Sequence, residues 1–187
     1  MKSDNEKNPW QTLSSKIVYE TPWLRVVEHE CLSPTKLPAQ YGVVEFKNTA
    51  IGILALDANL NIYLVGQWRY PLKQYSWEIP EGGGRLSSDP LEEAKRELKE
   101  EAGVTATQWN KYFEMHLSNS TTNERALVYV ATDLTVGESA PEETEILKVK
   151  KVSLKNAYRM VVSGEITDAI SVAAIQRLYI DKFHLEN

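Results

Sequence analysis

Apolar and polar positions alternate with a period of two through Lys16–Glu20, Trp23–Cys31 and Tyr41–Phe46, with breaks at Thr21-Pro22 and across Ser33-Pro34 to Pro38. This pattern predicts a β-rich arm over residues 1–47, ahead of a second domain over residues 48–187. From Ala50 to Arg69 two apolar segments flank Asp57-Ala58-Asn59, a hairpin signal, and Ser76–Pro80 reads as a short strand stopped by proline. Gly82, Gly83 and Gly84 follow, where the backbone takes positive φ or comes close to a ligand. The period then changes to that of a helix over residues 89–103, with Asp89 as N-cap, Pro90 in the first turn, Glu92 at the capping-box spacing and Gly103 at the end. Strands are expected at Gln108–Leu117, Ala126–Ala131 and Glu145–Val152. Helices follow from Ser153 to about Val162 and from Asp168 to about Phe183. The element order predicts a mixed α/β domain behind the arm.

Composition narrows the class. With 42% hydrophobic and 25% charged residues, the chain is an ordinary globular one, and 187 residues suffice for a sizeable core. Cys31 is the only cysteine, so no intrachain disulfide is possible and a reducing compartment is expected. The N-terminus has no signal-like apolar run, and no stretch approaches the ~20 apolar residues that span a bilayer, which points to a cytoplasmic protein without a membrane partner. A net charge of −5 gives no general attraction for nucleic acid. The three histidines, His29, His116 and His184, lack ligand spacing, so zinc is not expected.

A helical wheel of residues 91–102 separates three sectors. Leu91, Ala94, Leu98 and Ala102 form a buried stripe, Glu92, Lys95, Arg96 and Lys99 a mixed-charge sector, and Glu93, Glu97, Glu100 and Glu101 a carboxylate face. Like charges at i,i+3 and i,i+4 cost ~0.2 to 0.5 kcal/mol each, and the wheel sets the basic residues around the cylinder from them. Such a face calls for a counter-charge. A hard divalent cation takes carboxylate oxygens, and Mg²⁺ combines one or two of them with waters and substrate phosphates. It would also let an acidic protein bind an anionic diphosphate.

Residues 82–104 resemble the Nudix box, G-x5-E-x7-R-E-U-x-E-E-x-G-U with U aliphatic: Gly82, then Arg96-Glu97-Leu98, Glu100-Glu101 and Gly103-Val104, with Ser88 where the early glutamate belongs. The resemblance implies an α/β/α sandwich with a mixed sheet and a loop-helix-loop box. It implies that Glu97, Glu100 and Glu101 hold the catalytic metals, Mg²⁺ or alternatively Mn²⁺, that Arg96 orients Glu97, and that the Glu81 carbonyl is a further ligand. The Glu81 side chain, where alanine is commoner, is expected to face solvent.

Over about residues 45–182 the chain is similar to the ADP-ribose and nucleoside diphosphate sugar branch of that family. Gln67-Trp68-Arg69 followed by Glu78-Ile79-Pro80-Glu81-Gly82 matches Q-x-R and E-x-P-x-G, and Ile166-Thr167-Asp168-Ala169 matches I-x-D-A. The acidic segment Glu142-Glu143-Thr144-Glu145 stands where the branch has its catalytic loop, which implies Glu143 as the base that activates water, Glu142 as its neighbouring alternative and Glu145 as a metal contact. Arg69 is a candidate diphosphate clamp, since a guanidinium forks onto phosphate oxygens, and Glu78 a candidate partner for Arg69 or Arg96. Trp68, Tyr70 and Trp23 are candidate surfaces for the base. The implied reaction is Mg²⁺-dependent cleavage of a nucleoside diphosphate sugar to a nucleoside monophosphate and a sugar phosphate, by a homodimer joined through the arm. Two other readings stand beside it: a pyrophosphohydrolase that cleanses the nucleoside triphosphate pool, and a non-catalytic ADP-ribose-sensing module.

Overall fold

The computed structural model describes residues 7–139 and 146–183. The chain divides into two compact units, one formed by the segment up to Lys47 with Ser118–Glu124 and the other by Asn48–Leu117 with the segment from Arg125 onward.

In the first unit β1 (Gln11–Glu20), β2 (Leu24–Leu32) and β3 (Pro38–Phe46) form an antiparallel meander in the order β1-β2-β3. The Thr21 hydroxyl makes the first turn by accepting from the backbone N–H groups of Trp23 and Leu24, each at 3.2 Å. Segment 118–124 is bound to β3, with Val44 N–H donating to the Thr121 carbonyl at 2.9 Å and Phe46 N–H to Asn123 Oδ1 at 2.7 Å. Strand β1 is exposed along its whole length although it carries Leu13, Ile17, Val18 and Tyr19.

The second unit is the α/β part. Its strands are β4 (Asn48–Ala55), β5 (Asn61–Arg69), β6 (Gln74–Glu78), β7 (Glu81–Arg85), β8 (Val104–His116), β9 (Arg125–Val136) and β10 (Lys148–Ser153). They make one antiparallel sheet, β10-β5-β6, and one mixed sheet, β7-β4-β9-β8, in which only β4 and β9 run parallel. The turn at Asp57 forms as expected, with Asp57 Oδ1 accepting from the N–H groups of Asn59 and Asn61 at 2.9 and 2.8 Å. The hairpin does not. Beyond the single bridge Leu56–Ile62, β4 and β5 part into different sheets, because β4 pairs with β7 and β9 and β5 with β6 and β10.

Alternation along β4 supplies two cores. Ile51, Ile53 and Ala55 face α1 (Pro90–Ala102) and pack with Ala94, Leu98 and Ala102, whereas Leu54 and Leu56 face α2 (Leu154–Val162) and α3 (Ala169–Phe183). Helices therefore cover both sides of the strands, an α/β/α arrangement. Helix α1 begins as its sequence predicts, Asp89 accepting from Leu91 N–H at 2.9 Å and Pro90 in the first turn, and it ends on Gly103 at φ 65°. Glu92 does not close a capping box; it pairs with Lys95 at 2.6 Å. Full burial of Leu98 contributes ~2 kcal/mol, which exceeds the repulsion of any like-charged pair on the helix surface.

Candidate active site

The carboxylate face of α1 lies against β7. This glycine-rich segment is a strand, paired in register with β4 from Asn48–Arg85 to Gly52–Glu81. None of Gly82, Gly83 and Gly84 has positive φ. They serve close approach instead. A Cβ on Gly82 would stand 2.2 Å from Cδ and Oε1 of Glu97, and one on Gly84 would stand 3.3 Å from Cβ of Glu93. Positions two apart on a strand thus meet positions four apart on a helix, and the missing side chains let the Glu97 and Glu93 side chains lie on the strand.

Arg96 ties the face together. Its Nη2 donates to Glu97 Oε1 at 2.5 Å and to Glu93 Oε2 at 2.9 Å, Nε donates to the same Glu93 oxygen at 3.0 Å, and Nη1 donates to Glu100 Oε2 at 2.5 Å. The wheel had set Arg96 apart from the acidic face; the length of its side chain overrides the angle of its Cα. Burial pushes the Glu93 carboxyl up, yet hydrogen bonds from Arg96 and from the Ser88 hydroxyl prevail and hold it below the ordinary carboxylate range. Ser88, the departure from the box pattern, thus contributes to holding down Glu93, a member of the face that the box pattern leaves out. Glu101, 4% exposed, accepts the backbone N–H of Glu81 at 2.9 Å.

A second network begins at Arg69. The spacing in Gln67-Trp68-Arg69 puts Gln67 and Arg69 on the face of β5 that carries Tyr63 and Val65, which pack toward α1. Arg69 Nε donates to both oxygens of Glu78 at 2.9 and 3.1 Å, and Nη2 donates to Glu78 Oε2 at 2.5 Å and to Glu81 Oε1 at 2.8 Å. One edge of the proposed clamp is thus already engaged by protein. The Glu81 side chain does not face solvent: it is 10% exposed, and Arg69 Nη2 donates to it. Its Oε2 is buried without a donor among the described residues. Burial, then the Asp168 and Glu78 carboxylates, push the Glu81 carboxyl well above the ordinary range, which favours the protonated form. Asp168 also caps α3 by accepting Ser171 N–H at 2.7 Å, and the Ser171 hydroxyl accepts Ile79 N–H at 2.9 Å. Asp168 is legible in the sequence as a cap; its place beside Glu81 is not.

The remaining candidates are dispersed. Trp68 is exposed on the opposite face of β5 from Arg69, so the sheet separates it from the carboxylates. Tyr70, 86% exposed, follows Arg69 in the chain. Trp23 is exposed in the first unit. Glu142, Glu143 and Glu145 lie outside the described residues.

Hard oxygen donors on one helix face suit a divalent cation in kind. Among the described residues no three carboxylate, imidazole or thiol groups close on one point as a cage. That open arrangement suits Mg²⁺, which fills most of its coordination with water and substrate phosphate. The cradle that Gly82 leaves for Glu97 keeps one such carboxylate at the strand surface.

Residues 46–169 match the NUDIX domain model, and residues 10–44 match the model of the nucleoside diphosphate sugar hydrolase N-terminal domain. The ADP-ribose pyrophosphatase of Bacillus subtilis (strain 168) is 35% identical over 133 residues, covering 70% of this chain and 72% of that protein. The ADP-ribose pyrophosphatase of Mycobacterium tuberculosis is 33% identical over 129 residues, 67% of this chain and 62% of its own. A methanol dehydrogenase activator from Bacillus methanolicus is 30% identical over 135 residues. A crystal structure of an ADP compounds hydrolase superimposes with a TM-score of 0.82 over 94% of this chain and 96% of that one, at 18% identity, a likeness of fold. No helix among the described residues is long and apolar enough to cross a membrane.

Proposed function

This chain belongs to the Nudix hydrolase family, and from that premise we propose that it splits the diphosphate of ADP-ribose and related nucleoside diphosphate sugars into a nucleoside monophosphate and a sugar phosphate. The observation that carries the proposal is the carboxylate face of α1, with Glu97 in the Gly82 cradle, Glu100 and Glu97 linked by Arg96, and Glu101 pinned by the Glu81 N–H.

Members of the family generally use divalent metal ions. Here Glu97, Glu100, Glu101 and the Glu81 carbonyl would hold Mg²⁺, or Mn²⁺ in its place, with Glu145 a further contact; the bound ion would neutralise the diphosphate and stabilise the charge that develops on it. Arg69 binds a phosphate oxygen through the nitrogen that Glu78 and Glu81 leave over, and Tyr70 offers an aromatic surface to the base. Glu143 takes a proton from water, whose oxygen forms a bond to one phosphorus as the bond from phosphorus to the bridging oxygen breaks. The lone free Cys31 supports a reducing, cytoplasmic setting.

The test is a substrate panel. With Mg²⁺, ADP-ribose is expected to give AMP and ribose 5-phosphate, and a chelator to stop the reaction. Absence of turnover of every nucleoside diphosphate sugar offered would overturn the proposal. Pyrophosphate release from triphosphates instead would turn the reading to pool cleansing, and binding of ADP-ribose without cleavage would turn it to sensing.

We also propose a homodimer joined through the arm, on the apolar side chains that β1 leaves exposed. Light scattering after gel filtration is expected to give twice the mass of the 187-residue chain; a monomer at micromolar concentration would count against it.

A further inference from the structure

We infer that the side chain of Glu81 is a positioning residue for the substrate, acting through Arg69, while the backbone of the same residue serves the metal side of the site through Glu101. The inference rests on the function proposed above, and it concerns a carboxylate where the branch commonly carries an alanine.

The geometry divides the labour. Both hydrogens of Arg69 Nη2 have an acceptor, Glu78 Oε2 at 2.5 Å and Glu81 Oε1 at 2.8 Å, and Nε is engaged by Glu78 as well. Nη1 has no hydrogen-bond partner among the described residues. The two carboxylates are buried, at 2% and 10% exposure, whereas the arginine side chain is 35% exposed. A guanidinium is a rigid plane, so occupying Nε and Nη2 from two anchors sets the direction in which the Nη1 edge points. Glu78 stands at the end of β6 and Glu81 at the start of β7, so the grip spans the corner between the two strands. With Glu78 alone, one Nη2 hydrogen is unpaired and the plane is held by a single carboxylate in place of two. A preset donor edge loses less freedom when it meets a phosphate.

The alternative is a packing role, and the buried Glu81 Oε2 speaks against it: a carboxyl with an oxygen lacking a donor is a poor filler beside an apolar side chain of the same size. The backbone contact to Glu101, at 2.9 Å, is made by any residue at this position. Side-chain replacement therefore separates the two functions. It should disturb the substrate and spare the metal.

The experiment compares wild type with Glu81→Leu, Glu81→Gln, Arg69→Met and the Arg69→Met/Glu81→Leu double variant. It reads KM and kcat for ADP-ribose, half-saturation by Mg²⁺, and the Kd of the non-hydrolysable α,β-methylene ADP-ribose by calorimetry, with melting curves to establish folding. Glu81→Leu is expected to raise KM and Kd about 10-fold, the scale of one charge-assisted hydrogen bond, with kcat and Mg²⁺ half-saturation held within about threefold. Glu81→Gln keeps an oxygen toward Nη2 and is expected to restore KM to within about threefold of wild type. The double variant should match Arg69→Met, because Glu81 acts only through that arginine. Wild-type KM and Kd in Glu81→Leu, or effects of the two single variants that multiply in the double, would overturn the inference. If Glu81→Leu does not fold, Glu81→Ala carries the same comparison. A wild type that binds the analogue but does not cleave ADP-ribose refutes the proposed reaction alone, and the Kd values still decide the role of Glu81; turnover with Glu81→Leu unaltered refutes the positioning role alone.

Discussion

Glu101→Gln is expected to lower kcat/KM for ADP-ribose about 10³-fold, equivalent to ~4 kcal/mol of transition-state stabilisation, while the protein stays folded. The two halves of this expectation have separate causes. Glutamine keeps the length of the side chain and an oxygen that can accept the Glu81 N–H, now 2.9 Å from Oε2, so the link between α1 and β7 survives. What is lost is a formal charge at a site 4% exposed, where water cannot replace it as a partner for a cation. Glu92→Gln is the control. That residue belongs to the same helix and is also a glutamate, but its pairing with Lys95 is on the surface, and such pairs contribute little. Its rate is expected within about twofold of wild type, in line with the small worth of exposed pairs. Steady-state kinetics with melting curves decide the matter. A Glu101→Gln protein with more than a tenth of wild-type activity would remove Glu101 from the metal set.

How far the site was legible depended on the range of the interactions that make it. Asp89, Pro90 and Gly103 act on their own neighbours, so both ends of α1 could be read from sequence. The pairing of β7 with β4 and the approach of α1 are tertiary, and three successive glycines carry no local strand signal, so β7 is not legible as a strand. The turn at Asp57 is local and was legible; the separation of β4 and β5 depends on β9 and β10, far along the chain, and was not. Arg96 shows the limit of the helical wheel, which records where Cα points and not how far a guanidinium reaches. The burial of Glu81 is not legible in the sequence because neither Arg69 nor Asp168 is near it along the chain; the fold makes them its neighbours. The family resemblance supplied what periodicity alone could not, the choice of Glu97, Glu100 and Glu101 from a face that also holds Glu93.

The placement of Glu97 yields the other large effect. Gly82→Ala is expected to lower kcat/KM about 100-fold, because a displacement near 1 Å of a group in the reacting constellation costs on that scale. The new Cβ would fall 2.2 Å from Cδ and Oε1 of Glu97 and 2.6 Å from Oε2, distances that no carboxylate can keep. What must move is the far end of a flexible side chain, so the backbone pairing of Ile51 with residue 82 is retained and the loss of stability is small. The moving carboxylate also loses its 2.5 Å contact with Arg96 Nη2, which frees that guanidinium to redistribute over Glu93 and Glu100. Gly83→Ala separates this cause from a general effect of adding a methyl to β7. Its Cβ points to the other face of the strand and meets Asn48 Nδ2 at 2.4 Å, away from α1. Asn48 can swing aside, and activity within about threefold of wild type is expected, since the constellation on α1 is not displaced. Equal losses in the two alanine variants would show that β7 is sensitive to any side chain, and the cradle for Glu97 would then have no special part in catalysis. A large loss in Gly82→Ala alone, with melting temperatures of both variants near wild type, ties the glycine to the position of one carboxylate.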